Sequence, residues 1–90
     1  MDLTIYEKLS NLRDKYPENT NLIGELVLVA FKNNNVIPED EFTLNGMYEE
    51  ADIIKILKEL NISFNKIIAS KIVDNTYTLH PRTEVTLKLD

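Results

Sequence analysis

Cysteine and tryptophan are absent from this chain of 90 residues, histidine occurs once, glycine twice and proline three times. Without cysteine there is no disulfide framework, no thiolate nucleophile and no thiolate metal ligand, and a lone histidine, His80, makes no zinc set of the common kind. His80 reads as structural or incidental. No apolar run approaches the ~20 residues of a membrane span. A glycine-rich phosphate loop, a G-x-S-x-G elbow and a histidine beside a credible nucleophile are all missing, so catalysis would have to rest on isolated carboxylates. The expectation is a protein that is not an enzyme, with no catalytic residues, no cofactor, no metal and no membrane partner. Met1-Asp2-Leu3-Thr4 has neither the basic start nor the apolar core of a secretory signal, which points to a cytoplasmic location.

A chain of this length forms one domain around one core. Its net charge is −5, unevenly spread. Residues 1–54 hold four basic against eleven acidic side chains, −7, whereas residues 55–90 hold six basic against four acidic, +2. An acidic protein is a poor generic ligand for nucleic acid, because phosphate neutralisation supplies most non-specific affinity. The positive balance of the C-terminal part keeps nucleic acid open as a partner.

The N-terminal part, residues 1–35, reads as helical. Thr4 with Glu7 three residues later forms a capping box, Leu3, Ile5, Leu9 and Leu12 make an apolar stripe, and Pro17 ends the first helix near Tyr16. A second helix starts near Thr20 or Asn21 and carries Leu22, Ile23, Leu26, Val27, Val29, Ala30 and Phe31, apolar on nearly every side, so it is expected to be the central core helix. Its β-branched content and Gly24 leave a buried strand over Glu25 to Phe31 as the alternative. Asn33-Asn34-Asn35 stops it.

Residues 42–89 read as a short strand at Phe42-Thr43-Leu44, a helix from about Met47 to Leu60, a break at Asn61, and a second helix over about Phe64 to Val73 with Ser63 as N-cap. Two alternating strands follow, Thr76 to His80 and Glu84 to Leu89, with Tyr77, Leu79, Val85, Leu87 and Leu89 on one face and Pro81 and Arg82 at the bend. The order predicts an α+β fold: a winged helix-turn-helix of short strand, two helices and C-terminal β-hairpin, preceded by two N-terminal helices, in a single domain spanning 1–90.

Two surfaces are candidates for binding. In a helix over 64–73, Phe64, Ile67, Ile68 and Ile72 would face inward and Asn65, Lys66, Ser70 and Lys71 outward: Asn65 suits an adenine edge, Lys66 and Lys71 suit phosphates, and Arg82 at the wing tip suits a backbone contact. The plain alternative is a solvated helix face and an ordinary turn residue. The second surface is acidic: Glu39, Asp40, Glu41, Glu49, Glu50 and Asp52, with no Lys or Arg between Lys32 and Lys55. Glu49, Glu50 and Asp52 also suit the start of a helix, whose dipole favours anions there. The functional reading is a face that docks on a basic protein or imitates nucleic acid.

The run Ile37-Pro38-Glu39-Asp40-Glu41-Phe42-Thr43-Leu44, followed by helices and an alternating hairpin, resembles the small winged-helix proteins of Gram-positive mobile elements, including the single-stranded-DNA-binding ones of staphylococcal cassettes. The resemblance covers Ile37 to Leu89. Those proteins tend to have a Trp after the strand and a Gly opening the recognition helix; here there is no Trp, and Ser63-Phe64 stands in place of the Gly. The resemblance implies a DNA-binding accessory protein of a phage, plasmid or cassette in a bacterial or phage-infected cell, with Lys66, Lys71 and Arg82 carrying over. The leading expectation is therefore binding of single- or double-stranded DNA. The alternative is an acidic interaction module or phage-encoded inhibitor that binds a basic protein. A homodimer through the stripe edge of helix one, Ile5, Tyr6 and Leu9, is a further expectation.

Overall fold

A computed structural model of the chain describes residues 4–60, 66–72 and 82–88. Helix α1 (Thr4–Lys15) ends where expected, because Pro17 cannot continue it and instead opens a short 3₁₀ turn, Pro17–Asn19. Thr20 closes that turn with its hydroxyl donating to the Pro17 carbonyl at 2.6 Å, and α2 (Thr20–Lys32) follows directly. Asn34 and Asn35 then take positive φ, 57° and 67°. Asparagine tolerates this left-handed backbone better than most residues, and it brings the Asn33 and Asn35 N–H groups back to the Ala30 carbonyl at 3.0 and 2.8 Å. The asparagine triplet is thus the C-terminal stop, and the strand alternative for 25–31 is excluded.

Strand β1 (Glu41–Leu44) leads through a five-residue loop into α3 (Glu50–Glu59). The helix is shorter than the predicted 47–60. Glu49 keeps an extended backbone, φ −73° and ψ 140°, and its carbonyl receives the Asp52 and Ile53 N–H groups, so the helix can begin no earlier.

The predicted second helix over 64–73 is not formed: residues 66–72 are strand β2 (Lys66–Ile72), which pairs antiparallel with β3 (Arg82–Lys88). The sheet order is β1-β3-β2, so β3 is central and needs a partner along both edges. The segment Ile67-Ile68-Ala69-Ser70-Lys71-Ile72 is rich in β-branched residues that lose little in an extended backbone. Seven residues of β2 stand in register with β3, from Lys66 opposite Lys88 to Ile72 opposite Arg82. A ladder of backbone hydrogen bonds outweighs the weak helical periodicity of so short a segment. The helix-turn-helix is thereby replaced by helix then strand. Arg82 is also corrected: it opens β3 instead of occupying the bend. Asn61, Ser63, Phe64, Asn65 and the strand expected over 76–80 lie outside the described residues.

The alternation of β3 is as anticipated. Thr83, Val85 and Leu87 are buried with Phe42 and Leu44 of β1, while Glu41, Thr43 and Glu84 point to the opposite, exposed face. Against the buried face lie Leu9 and Leu12 of α1, Leu22, Ile23, Leu26 and Ala30 of α2, and Ile53, Ile56 and Leu57 of α3, with Leu60 closing the end. Burying each such Leu or Ile contributes roughly 1.5–3 kcal/mol before the cost of ordering the chain. Helix α1 packs on α2, α2 on β1 and α3 on β2. Leu9 is fully buried and Ile5 and Tyr6 half-buried, so the stripe of helix one is taken up mainly within the fold. Helix α2 is not central: one side is buried, but Leu28 and Phe31 are exposed, because the helix lies at the margin and is covered on one face only.

Candidate interaction surface

The exposed face of the sheet carries Glu41 and Thr43 of β1 and Arg82, Glu84 and Thr86 of β3, with β2 paired along the other edge of β3. Glu41 stands opposite Thr86 and Thr43 opposite Glu84, so the two carboxylates lie on a diagonal across the strand pair. Between them is a shallow depression of about 190 Å³ lined by Glu41, Phe42, Thr43, Glu84, Val85 and Thr86. Glu39 and Asp40, both exposed, lead into β1. Asp40 fixes this entry: its carbonyl accepts the Leu87 N–H at 2.6 Å, extending the β1–β3 pairing, and its carboxylate accepts the Glu41 N–H at 2.7 Å. Glu49 and Glu50 are exposed at the start of α3, past the other end of β1. The four residues of β1 span about 10 Å, so the acidic residues form two groups, with Glu84 between them on the sheet. Asp52, in the first turn of α3, is paired with Lys55 at 3.8 Å. Sequence patterning puts Glu84 on a polar strand face, but only the β1–β3 register joins it to the acidic segment.

The residues proposed for nucleic acid are redistributed. Lys66, Ser70 and Lys71 stand on β2, with Ser70 opposite Glu84 and Lys71 opposite Thr83, and Arg82 is half-exposed at the start of β3. Asn65 is outside the described residues.

A polar cluster unforeseen in the sequence holds the β1–α3 loop. The Glu25 carboxylate on α2 accepts hydrogen bonds from the Asn45 and Gly46 backbone N–H groups and from the Tyr48 hydroxyl. Thr83, fully buried on β3, accepts the Tyr48 N–H at 3.0 Å and donates to the Gly46 carbonyl at 2.9 Å. Burial, then the hydrogen bond to Glu25 and its negative charge, push the Tyr48 phenol above its ordinary value of 10.0. A Cβ at Gly46 would come 3.0 Å from the Tyr48 hydroxyl, so a larger residue there would push the ring back by a few tenths of an ångström. One carboxylate and one hydroxyl thus set where the chain leaves β1 and where α3 starts.

A second cluster joins α1 to α3. Lys15 Nζ lies 3.2 and 3.3 Å from the two Glu59 oxygens, and the Tyr16 hydroxyl donates to Glu59 at 3.1 Å. Hydrogen bonds from Lys15 and then Tyr16 hold the Glu59 carboxyl below its ordinary range, and the Glu59 partner raises Lys15. Lys55 Nζ sits 4.4 Å above the Tyr16 ring centroid and 3.6 Å from Glu18. Lys15 and Lys55 are therefore engaged within the fold, which removes two cations from any phosphate-binding face.

Among the described residues no group of three or more His, Asp and Glu side chains converges as a metal site, and no helix is long and apolar enough to cross a membrane. Comparison with protein-family models, with curated proteins and with solved structures found no match.

Proposed function

We propose that this chain is a non-catalytic interaction module that presents the acidic β1 side of its outer sheet face to a basic protein partner. The observation that carries the reading is the placement of Glu41 and Glu84 on one exposed diagonal of the β1–β3 pair, with Glu39 and Asp40 beside it. Electrostatic complementarity of this kind sets partner choice and association rate more than raw affinity. The test is affinity capture with the full chain, followed by binding measurements on the purified partner. Affinity for the partner should fall with added salt, and Glu41→Lys with Glu84→Lys should lower it by about tenfold or more. A partner that binds the double variant as tightly as the parent chain would refute the assignment of this face.

A second reading, nucleic-acid binding, is favoured by one observation. Lys66, Ser70, Lys71 and Arg82 all fall on the β2–β3 ribbon, within the part of the chain that carries +2. Two-stranded ribbons enter the major groove in several DNA readers. A winged-helix version would keep β1, α3 and the ribbon as its parts, and an accessory role in a mobile element would then follow from the resemblance. If Lys66 and Arg82, which stand at positions of one sheet face, each neutralise a duplex phosphate, log affinity falls with log salt at a slope of about −1.8. Arg82→Ala should reduce that slope by about 0.9. Titration against single- and double-stranded DNA separates the readings, since the acidic-face variants would strengthen DNA binding while they weaken protein binding.

A further inference from the structure

Strand β1 lies at an edge of the sheet, and the phase of its ladder decides which of its backbone groups are left over. The Asp40 carbonyl accepts the Leu87 N–H, so Asp40 and Leu87 form a hydrogen-bonded pair, and in an antiparallel ladder such pairs recur at every second residue. Phe42 with Val85 and Leu44 with Thr83 are the next two, which leaves the N–H and C=O groups of Glu41 and Thr43 pointing away from β3. The Glu41 N–H is already taken, because the Asp40 carboxylate accepts it at 2.7 Å. The Glu41 carbonyl and both backbone groups of Thr43 have no partner among the described residues. An edge of this kind is a template for one more strand.

We propose that an extended basic segment of the partner protein adds to this edge as an antiparallel strand, with Lys or Arg at alternate positions and β-branched residues between them. The proposal rests on the acidic-face reading above and states the form in which that partner binds. One residue of the segment exchanges two backbone bonds with Thr43, and the residue two places on donates its N–H to the Glu41 carbonyl. Both put their side chains on the outer face of the sheet. The side chain opposite Glu41 meets that carboxylate directly. The side chain opposite Thr43 passes over the small threonine into the depression of about 190 Å³ and reaches Glu84, whose strand lies about 10 Å from the incoming one. Arg82 shares this face but makes no ion pair with Glu84 among the described residues. A second copy of the chain suits the edge less well. Two β1 strands paired about a two-fold axis would gather both Glu41 and both Glu84 carboxylates on one face, in chains that each carry −5. Three backbone bonds are a slight anchor, each contributing about two- to tenfold in affinity. Binding therefore needs the paired charges as well, and it weakens with salt.

The probe is a capped peptide of alternating Arg and Val, titrated into the full chain by calorimetry and followed by amide hydrogen exchange. At saturation it should slow exchange of the Thr43 N–H by about tenfold or more, while the Phe42 and Leu44 amides, bonded to β3 with or without peptide, change little. The same peptide N-methylated at its Arg residues cannot donate to β1, and should bind about tenfold more weakly with the protein untouched. Thr43→Pro removes the outward donor at a position where an edge strand tolerates proline, so it should lower peptide affinity by a similar factor and keep a single cooperative urea transition. Equal affinity for the two peptides, or an unprotected Thr43 amide in the complex, would overturn strand addition. If Glu41→Lys with Glu84→Lys still weakened that binding, the acidic face would stand without it. Failure of the alternating peptide to bind would also overturn strand addition, whereas the captured partner and its response to the same double variant test the face independently. Self-association of the chain that Thr43→Pro abolishes would overturn it too, by giving the edge to a second copy.

Discussion

At the scale of single residues, Tyr48 and Glu25 give the sharpest expectations. The Tyr48 phenol is held above 10.0, so the folded state keeps its proton after the unfolded state would lose it. Such a group contributes stability in full below the unfolded value and loses it as pH rises through the folded one. Urea midpoints should therefore be level up to about pH 9 and fall above pH 10. Tyr48→Phe should begin about 0.5–1.5 kcal/mol less stable through the lost hydrogen bond, yet decline less over the same alkaline range. Glu25→Ala leaves two backbone donors and one hydroxyl without their acceptor, and should cost about 2–3 kcal/mol in denaturant unfolding. Asn19 behaves in the opposite sense. Its side-chain oxygen is buried without a hydrogen-bond partner among the described residues. Asn19→Ala should accordingly change stability by less than about 0.5 kcal/mol or raise it, in contrast to the usual loss on truncating a buried side chain.

At the scale of elements, the sequence is legible wherever a local signal settles the backbone. Pro17 and the Asn33-Asn34-Asn35 triplet bound their helices through φ restriction and tolerance of positive φ, both properties of the residues themselves. The alternation of Glu84 to Leu87 is equally local, and it places each side chain on the correct face of β3. The segment 66–72 is where reading stops. Two isoleucines together and a third four positions later fit a short amphipathic helix as well as a strand, and only the open edge of β3, more than ten residues away in sequence, decides between them. The proposed nucleic-acid residues inherited that uncertainty, because an outward helix face and a strand distribute the same lysines differently. The acidic face was legible as a charge run but not as a surface, since Glu84 joins Glu41 only through strand pairing. The Glu25 cluster carried no signal at all: a single glutamate in an apolar helix has no local reason to meet residues 45–48. Helix α2 offers an element-scale test. Gly24 lies in a helix interior with open space at its Cβ position, so Gly24→Ala should raise stability by about 0.5–1 kcal/mol, measured as a shift in the urea midpoint at constant slope.

At the scale of the whole molecule, the order of strands sets what depends on what. Strand β3 comes last in the sequence but lies in the middle of the sheet, pairing with β1 about forty residues earlier and with β2 just before it. Val85 and Leu87 of β3 belong to the same core as Leu26 of α2 and Ile53 of α3, and Thr83 holds the loop that leads into α3. The helices therefore bury their apolar sides against a surface that is incomplete until the C-terminal strand arrives. Closing so long a loop costs entropy that is repaid only when the β1–β3 contacts form together, so the helical part should not fold as a separate cooperative unit. A chain ending after Ile72 should retain some far-ultraviolet helical signal from α1 and α2 but lose the single sharp urea transition. Val85→Ala in the full chain should keep that transition and lower its stability by about 1–3 kcal/mol. If the truncated chain instead unfolded in a sharp transition with the slope of the full protein, the first three helices and β1 would be a domain in their own right, and the dependence on β3 derived from the strand order would be wrong.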